Sequence, residues 1–246
     1  MTSKELENFL NDYFEINMYK DYCPNGLQIQ GADTIKKIVT GVTACQLLID
    51  KAISKNADAI IVHHGFFWKG EEYPITGIKY NRISKLIKHD INLFGYHLPL
   101  DGNRNIGNNI LLARKLGLTN IKFIGDTPEI NVIGDCSLSL EDFQNLIADR
   151  LDRTPTTIKF SESNTKVMIC TGGAQDYITI AREYGADTFI SGEISERTTH
   201  LARELGVNYI AAGHHATEKE GVKAISRLLN DKFNVECEFI DIDNPA

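Results

Sequence analysis

The sequence predicts an α/β fold built twice over. Two observations lead there. Short, wholly apolar strand candidates alternate with amphipathic helix candidates, the pattern of a sheet covered by helices on both faces. The order of these pieces then recurs once along the chain. A third observation points to what the fold holds: five of the seven histidines fall where predicted strands end.

The elements follow in order. Thr2 and Glu5 fit a capping box, with Leu6, Phe9 and Tyr13 along one face of a first helix. Pro24-Asn25-Gly26 marks a turn, and Leu27–Gln30 alternates as a strand with one exposed face should. From Lys37 the pattern is β-α-β. Lys37–Val42 is a strand, Leu47, Leu48, Ala52 and Ile53 have helical spacing, and Ala57–Val62 is a second, fully apolar strand. An aromatic loop follows. Ile83, Leu86 and Ile87 then define a helix that carries an exposed His89 in its middle, and Ile91–Tyr96 is another strand. Residues 119–165 behave differently: INVIGDCS and TIKFSES read as strands around a helix Leu140–Leu151, with Ser139 and Asp142 at its start. No Pro- or Gly-rich linker intervenes, so the boundary between a first half (1–125) and a second (126–246) is soft.

The repeat is specific in order and spacing. VTGVTA (39–44) echoes CTGGAQ (170–175), KNADAIIVHHG (55–65) echoes YGADTFISGEI (184–194), and HDINLFGYHLPLD (89–101) echoes LGVNYIAAGHHATE (205–218). Asp58 thereby pairs with Asp187 and Asn92 with Asn208. The surplus length of the first copy falls in the FFWKGEEYPI loop, where insertions are tolerated. All β-α-β units share some likeness, but agreement across three strands favours duplication.

Bulk properties narrow the function. The chain has 246 residues, 42% of them hydrophobic, and a net charge of −7. That balance argues against a binder of double-stranded nucleic acid, which needs clustered Lys and Arg. The five cysteines are scattered, odd in number and form no C-x-x-C pair. This predicts a reducing, cytoplasmic setting and no thiolate metal site. The start MTSKELENFL has no secretory pattern, and no apolar run reaches the ~20 residues of a membrane span, so no membrane is expected as a partner. Thr171-Gly172-Gly173 is not G-x-G-x-x-G, which removes a dinucleotide-binding reading.

The histidines carry the chemistry. His63 and His64 end one strand, and His97 and Asp101 follow another. In the second copy the corresponding places hold Glu193 and the group His214, His215 and Glu218. Ligands of open α/β sheets bind outside the carboxyl ends of strands. Imidazole with carboxylate suits Zn, Fe, Mn or Co. A lone histidine is ordinarily a satisfied core or surface residue, whereas burying several without partners would cost ~2–7 kcal/mol each. His214 and Glu218, four apart, share a helix face, whereas His215 is the weakest member and is ranked below His214. His97 is either a ligand or a group that orients one. Glu193 and His200, seven apart, form either a proton relay or an ordinary solvated face. Phe66, Phe67 and Trp68 could stack on a planar ring or pack as a lid, and Lys69 and Arg104 could meet phosphate or be plain surface charges.

The motifs PNGLQIQG (24–31), HHGFFW (63–68), GYHLPLDG (95–102), SGEISE (191–196) and GHHATE (213–218), in this order and spacing, resemble those of the GTP cyclohydrolase 1 type 2 homologs, also called the Nif-three-like family, over essentially the whole chain. The resemblance implies metal ligands at His63, His64, Asp101, His214 and Glu218 holding two divalent ions. It implies two intertwined α/β halves with mixed, helix-covered sheets and no inserted middle domain here, and a toroidal homohexamer with its metal sites facing an internal cavity. It also implies a metal-dependent hydrolase of a purine nucleotide; in such a reaction the positions of Glu193, His200 and His97 make them the candidates to handle protons. Two other classes use the same ligands: hydrolysis of a different phosphoester or amide, and a metal-binding, metal-delivery or scaffold protein without turnover.

Overall fold

The computed structural model describes residues 1–246. In chain order the elements are α1 (Ser3–Tyr13), β1 (Gly26–Ile29), β2 (Lys37–Thr43), α2 (Gln46–Ser54), β3 (Ala59–His64), α3 (Gly77–Lys88), β4 (Asn92–Gly95), α4 (Leu98–Gly102), α5 (Asn108–Lys115), β5 (Thr119–Ile124), β6 (Asn131–Asp135), α6 (Leu140–Leu151), β7 (Thr156–Ile158), β8 (Lys166–Ile169), α7 (Ile178–Glu183), β9 (Thr188–Ser191), α8 (Glu196–Leu205), β10 (Asn208–Ala211), α9 (His214–Thr217), α10 (Lys219–Lys232) and β11 (Glu236–Phe239). None of the helices is long and apolar enough to cross a membrane.

The chain forms two compact units, Met1–Leu100 with Gly221–Asp243, and Asp101–Glu220 with Asn244–Ala246. The expected halves met near residue 125. The observed units divide elsewhere because strand pairing decides membership. β5 lies before that point but pairs with β6, and the carboxyl-terminal β11 returns to pair with β2.

Unit 1 has a five-stranded sheet of order β1-β4-β3-β2-β11, parallel except for β1. Val39, Ile60, Val62 and Leu93 on one face pack against Leu48 and Ile49 of α2 and Leu86 of α3, all wholly buried. Each such side chain contributes about 1.5–3 kcal/mol over an exposed one. Unit 2 has a six-stranded sheet of order β5-β6-β8-β9-β10-β7, in which β8, β9 and β10 are parallel and the other pairings antiparallel. Its strands alternate between two cores, as the period of two requires. Val167 and Ile169 join Phe143 and Ile147 of α6, while Met168 and Phe189 join Ile178 of α7 and Ala202 of α8. Both sheets are therefore mixed and the second is covered on both faces, as expected for an α/β fold.

The repeat is visible inside each unit. β2, β3 and β4 are adjacent and parallel, with antiparallel β1 beyond β4; β8, β9 and β10 match them, with antiparallel β7 beyond β10. The paired side chains do the same work. Asp58 accepts hydrogen bonds from the backbone N–H of Lys36 (2.8 Å) and Lys37 (2.9 Å), and Asp187 from those of Thr165 (2.9 Å) and Lys166 (3.1 Å). Asn92 accepts from the N–H of Gly31 at 2.9 Å, and Asn208 from those of Phe160 (2.8 Å) and Ser161 (3.0 Å). Each of these side chains ties the start of its own strand to an end of the neighbouring one.

Several boundaries differ from the sequence reading. β3 runs on through both histidines instead of ending at Val62. β7 stops at Ile158 because the next residues turn to donate to Asn208. His89 caps the end of α3 instead of sitting within it. β5 has no counterpart in the sequence pattern: Asn120 and Lys122 interrupt its apolar period, and a bulge breaks its register between Thr119 and Lys122.

Candidate metal centre

In unit 1, His63 and His64 are the last two residues of β3. Alternation would send them to opposite faces, yet their ring centroids lie 4.5 Å apart, because the strand ends there and the chain turns. His97, just past β4, brings a third ring to 5.1 Å from His63 and 5.8 Å from His64. One donor atom from each of the three falls within 4.8 Å of the others.

Each ring is oriented through Nδ1. His63 Nδ1 meets the Tyr96 carbonyl at 3.0 Å, His64 Nδ1 meets Thr43 Oγ1 at 3.2 Å, and His97 Nδ1 meets Asp21 Oδ1 at 2.7 Å. A carbonyl or carboxylate can only accept, so the proton of His63 and of His97 resides on Nδ1 and the ligating lone pair on Nε2. The brace for this comes from the DYCPNGLQ segment. Asp21 also accepts from the N–H of Leu98 and the side chain of Asn25, each at 2.9 Å, and Asn25 accepts from the N–H of His97 at 2.8 Å. Gln28 accepts from the N–H of Phe66 at 2.7 Å, fixing the turn after His64. Burial alone would raise the Asp21 carboxyl; the bonds to His97, Asn25 and Tyr22 outweigh it and hold the group below the usual carboxylate value.

In unit 2 the donors are mostly anionic. Asp101, in α4, accepts from Asn108 Nδ2 at 2.9 Å and from Thr171 Oγ1 at 3.3 Å. Asp101 is 6% exposed and Glu218 only 2%, so two carboxylates are sequestered where an unpaired charge is costly. His214 opens α9, and its Nε2 lies 3.2 Å from Glu218 Oε2. Its Nδ1 meets Glu193 Oε1 at 2.6 Å. Burial works against charge on His214, but Glu218 and Glu193 prevail and lift it to about 9. The negative potential reaches Cys170, whose thiol is pushed far up by burial, with Asp101 and Glu218 adding to the effect. Gly172 has φ +70, and a Cβ there would sit 2.1 Å from Glu218 Oε1 and 3.3 Å from His214 Nε2. Only glycine lets the backbone approach the donors so closely.

These residues fit a divalent cation. Imidazoles held at Nδ1 by a carboxylate or carbonyl, beside sequestered carboxylates, are the arrangement that metal ligands and their outer partners take. The expected donors His63 and His64 cluster in unit 1, and Asp101, His214 and Glu218 are donors of unit 2. His97 joins the unit 1 imidazoles. His215 is buried, and its N–H donates to the Ala246 carbonyl at 3.1 Å. Glu193 meets His214 and not His200, which lies exposed with its Nε2 2.9 Å from Glu196. A spacing of seven gave the first pair a common face, but Glu193 precedes α8 and points back to the α9 turn. Phe66 enters the core, Lys79 stands over Phe67, and Trp68 lies 4.9 Å from His97 and 5.9 Å from His64. Arg104 pairs with Glu129 and stacks on Phe123. Sequence reasoning missed Asp21, Asn25, Gln28 and Thr171. The PNG turn marks where the brace lies, but nothing in its spacing to His97 reveals the contact.

Comparison with known proteins identifies the family. The family model for Duf34/NIF3 (NGG1p interacting factor 3) matches residues 1–245. The GTP cyclohydrolase 1 type 2 homologs of Yersinia pestis and Pasteurella multocida (strain Pm70) are 44% and 48% identical, over 100% of both chains in each case. Among solved structures, protein ybgI, described as of unknown function, superposes with a TM-score of 0.94 at 45% identity over 100% of both chains. The chain therefore belongs to the Duf34/NIF3 family.

Proposed function

We propose that the protein binds a pair of divalent ions and uses them to hydrolyse a purine nucleotide. His63 and His64 from unit 1 would act with Asp101, His214 and Glu218 from unit 2. The carrying observation is the Nδ1 anchoring of the imidazoles, His63 on a carbonyl and His214 on Glu193, beside two sequestered carboxylates. Imidazoles and buried anions complement each other as ligands: the first set supplies lone pairs, that of His214 once a cation displaces its proton, and the second supplies charge.

When bound, the ions would supply Lewis acidity and a water acidified toward pKa ~7. The residues divide the remaining work. Glu193 fixes the ring of His214. Asp101 is aimed by Asn108 and Thr171. His97, its Nδ1 held by Asp21, offers Nε2 beside His63 and His64 for proton transfer. His200 has no part in this reading, since it is solvated and paired with Glu196. The nucleotide substrate is supported by the name of the relatives and by the aromatic Trp68 beside the imidazoles. A ring hexamer accompanies the proposal as its assembly state.

The test is formate release from GTP by metal-loaded protein, run beside Glu218→Ala. Release that depends on Glu218 supports the reading; equal rates in both reject it. Tight metal with no turnover on GTP or on a panel read by phosphate and ammonia would favour metal binding or delivery instead.

A further inference from the structure

We infer that Asp21, Cys23 and His97 form a separate binding site for a thiophilic divalent cation, wholly within unit 1. One donor atom from each of the three lies within 4.8 Å of the other two. Around a bound zinc-like ion, with bonds of about 2.0–2.3 Å, donors stand roughly 3.3–3.8 Å apart. The three are thus near ligating separation before any ion arrives. A carboxylate, a thiol and an imidazole differ in softness, and the sulfur selects Zn, Cd or Co over Mg or Ca.

Asp21 and His97 are each held by contacts besides the one between them. Asp21 has a 4% exposed side chain. It keeps the N–H of Tyr22 at 2.6 Å, that of Leu98 at 2.9 Å and the Asn25 amide at 2.9 Å even without His97. His97 is fixed through its own N–H to Asn25 at 2.8 Å. The ion would take the place of the proton shared between His97 Nδ1 and Asp21. That proton moves to Nε2 as the ring changes tautomer, so with this ion bound His97 faces His63 and His64 as a proton donor and no longer as an acceptor; the thiol releases its own proton to solvent, so a single proton leaves per ion. A reactive-cysteine reading suits Cys23 less well. Burial and the neighbouring Asp21 charge push its thiol up to about 12, so without a cation it is a poor nucleophile.

Cd(II) or Co(II) titrated into the full chain tests this by the thiolate-to-metal charge-transfer absorption. The band is expected in the wild-type chain and in His64→Ala, where the paired-ion site is damaged. It is expected to persist in Cys170→Ser, which removes the thiol closest to the unit 2 carboxylates, and to vanish in Cys23→Ser. Asp21→Asn should weaken the titration midpoint at least tenfold; circular dichroism confirms that each variant is folded. A band that survives Cys23→Ser, or no band in folded wild-type protein at saturating Cd(II), overturns the site. A band lost in His64→Ala as well would merge it with the paired-ion centre and likewise overturn it. None of these readouts uses turnover, so failure of the hydrolase reading leaves the outcome interpretable.

Discussion

Single residues decide whether donors point where a cation needs them. Gly172 shows it most sharply. Its φ of +70 and the 2.1 Å approach to Glu218 leave no room for a side chain. Gly172→Ala should destabilise the protein by ~1–3 kcal/mol and lower its metal content. Thermal melting with elemental analysis checks both, and an unchanged melt with full metal would refute the steric argument. Glu193 makes a second case. Its carboxylate fixes His214 through Nδ1, so Glu193→Ala should weaken metal binding by ~10–100-fold. Glu193→Gln, which keeps an acceptor oxygen, should lose much less. Equal losses in the two would mean that charge, not orientation, is what Glu193 supplies. At this scale the sequence singled out the candidate donors but not their supports. His63, His64, Asp101, His214 and Glu218 stand out as a residue class gathered at strand ends. Asp21 and Gln28 are common surface types whose value comes only from a turn that carries them back to β3 and β4.

At the scale of elements, the duplicated β-α-β-α-β unit explains where the histidines sit. Parallel strands place their carboxyl ends on one side of each sheet, so β3 and β4 deliver His63, His64 and His97 together, and β9 and β10 deliver Glu193 and His214. Asp58 and Asp187 hold the corresponding starts of neighbouring strands together. Removing either side chain leaves two backbone N–H groups without their acceptor, and Asp58→Ala and Asp187→Ala should each destabilise by ~1–3 kcal/mol. Acid adds a check at Asp187. Burial would raise its carboxyl, but hydrogen bonds from Ser163, Thr165 and Lys166 outweigh that and hold it below the ordinary 3.8. A carboxyl depressed on folding gives its full stabilisation above 3.8 and loses it as pH falls through the lower folded value. Denaturant melts should therefore show a steeper decline below pH 4 in the wild-type chain than in Asp187→Asn; parallel curves would contradict this. Helix and strand types along the repeat were legible because apolar period and repeated Asp and Asn positions agreed. β5 was not, since a bulged edge strand with polar residues at Asn120 and Lys122 has no period to read.

Across the whole molecule, the first unit carries imidazole donors and the second carries carboxylates with an imidazole. The unit boundaries were beyond sequence reasoning, because β11 joins the first sheet from more than 190 residues away along the chain. The proposal that both units serve one pair of ions is the central claim, and metal content per chain is its most direct measure. Elemental analysis in a Cys23→Ser background, which removes the thiol-containing unit 1 site, should find about two ions per metal-replete, folded chain, a loss on adding either His63→Ala or Glu218→Ala, and no further loss on adding both, since residues that serve one centre are not additive. Background protein without metal, or losses from the two substitutions that simply add, would contradict it.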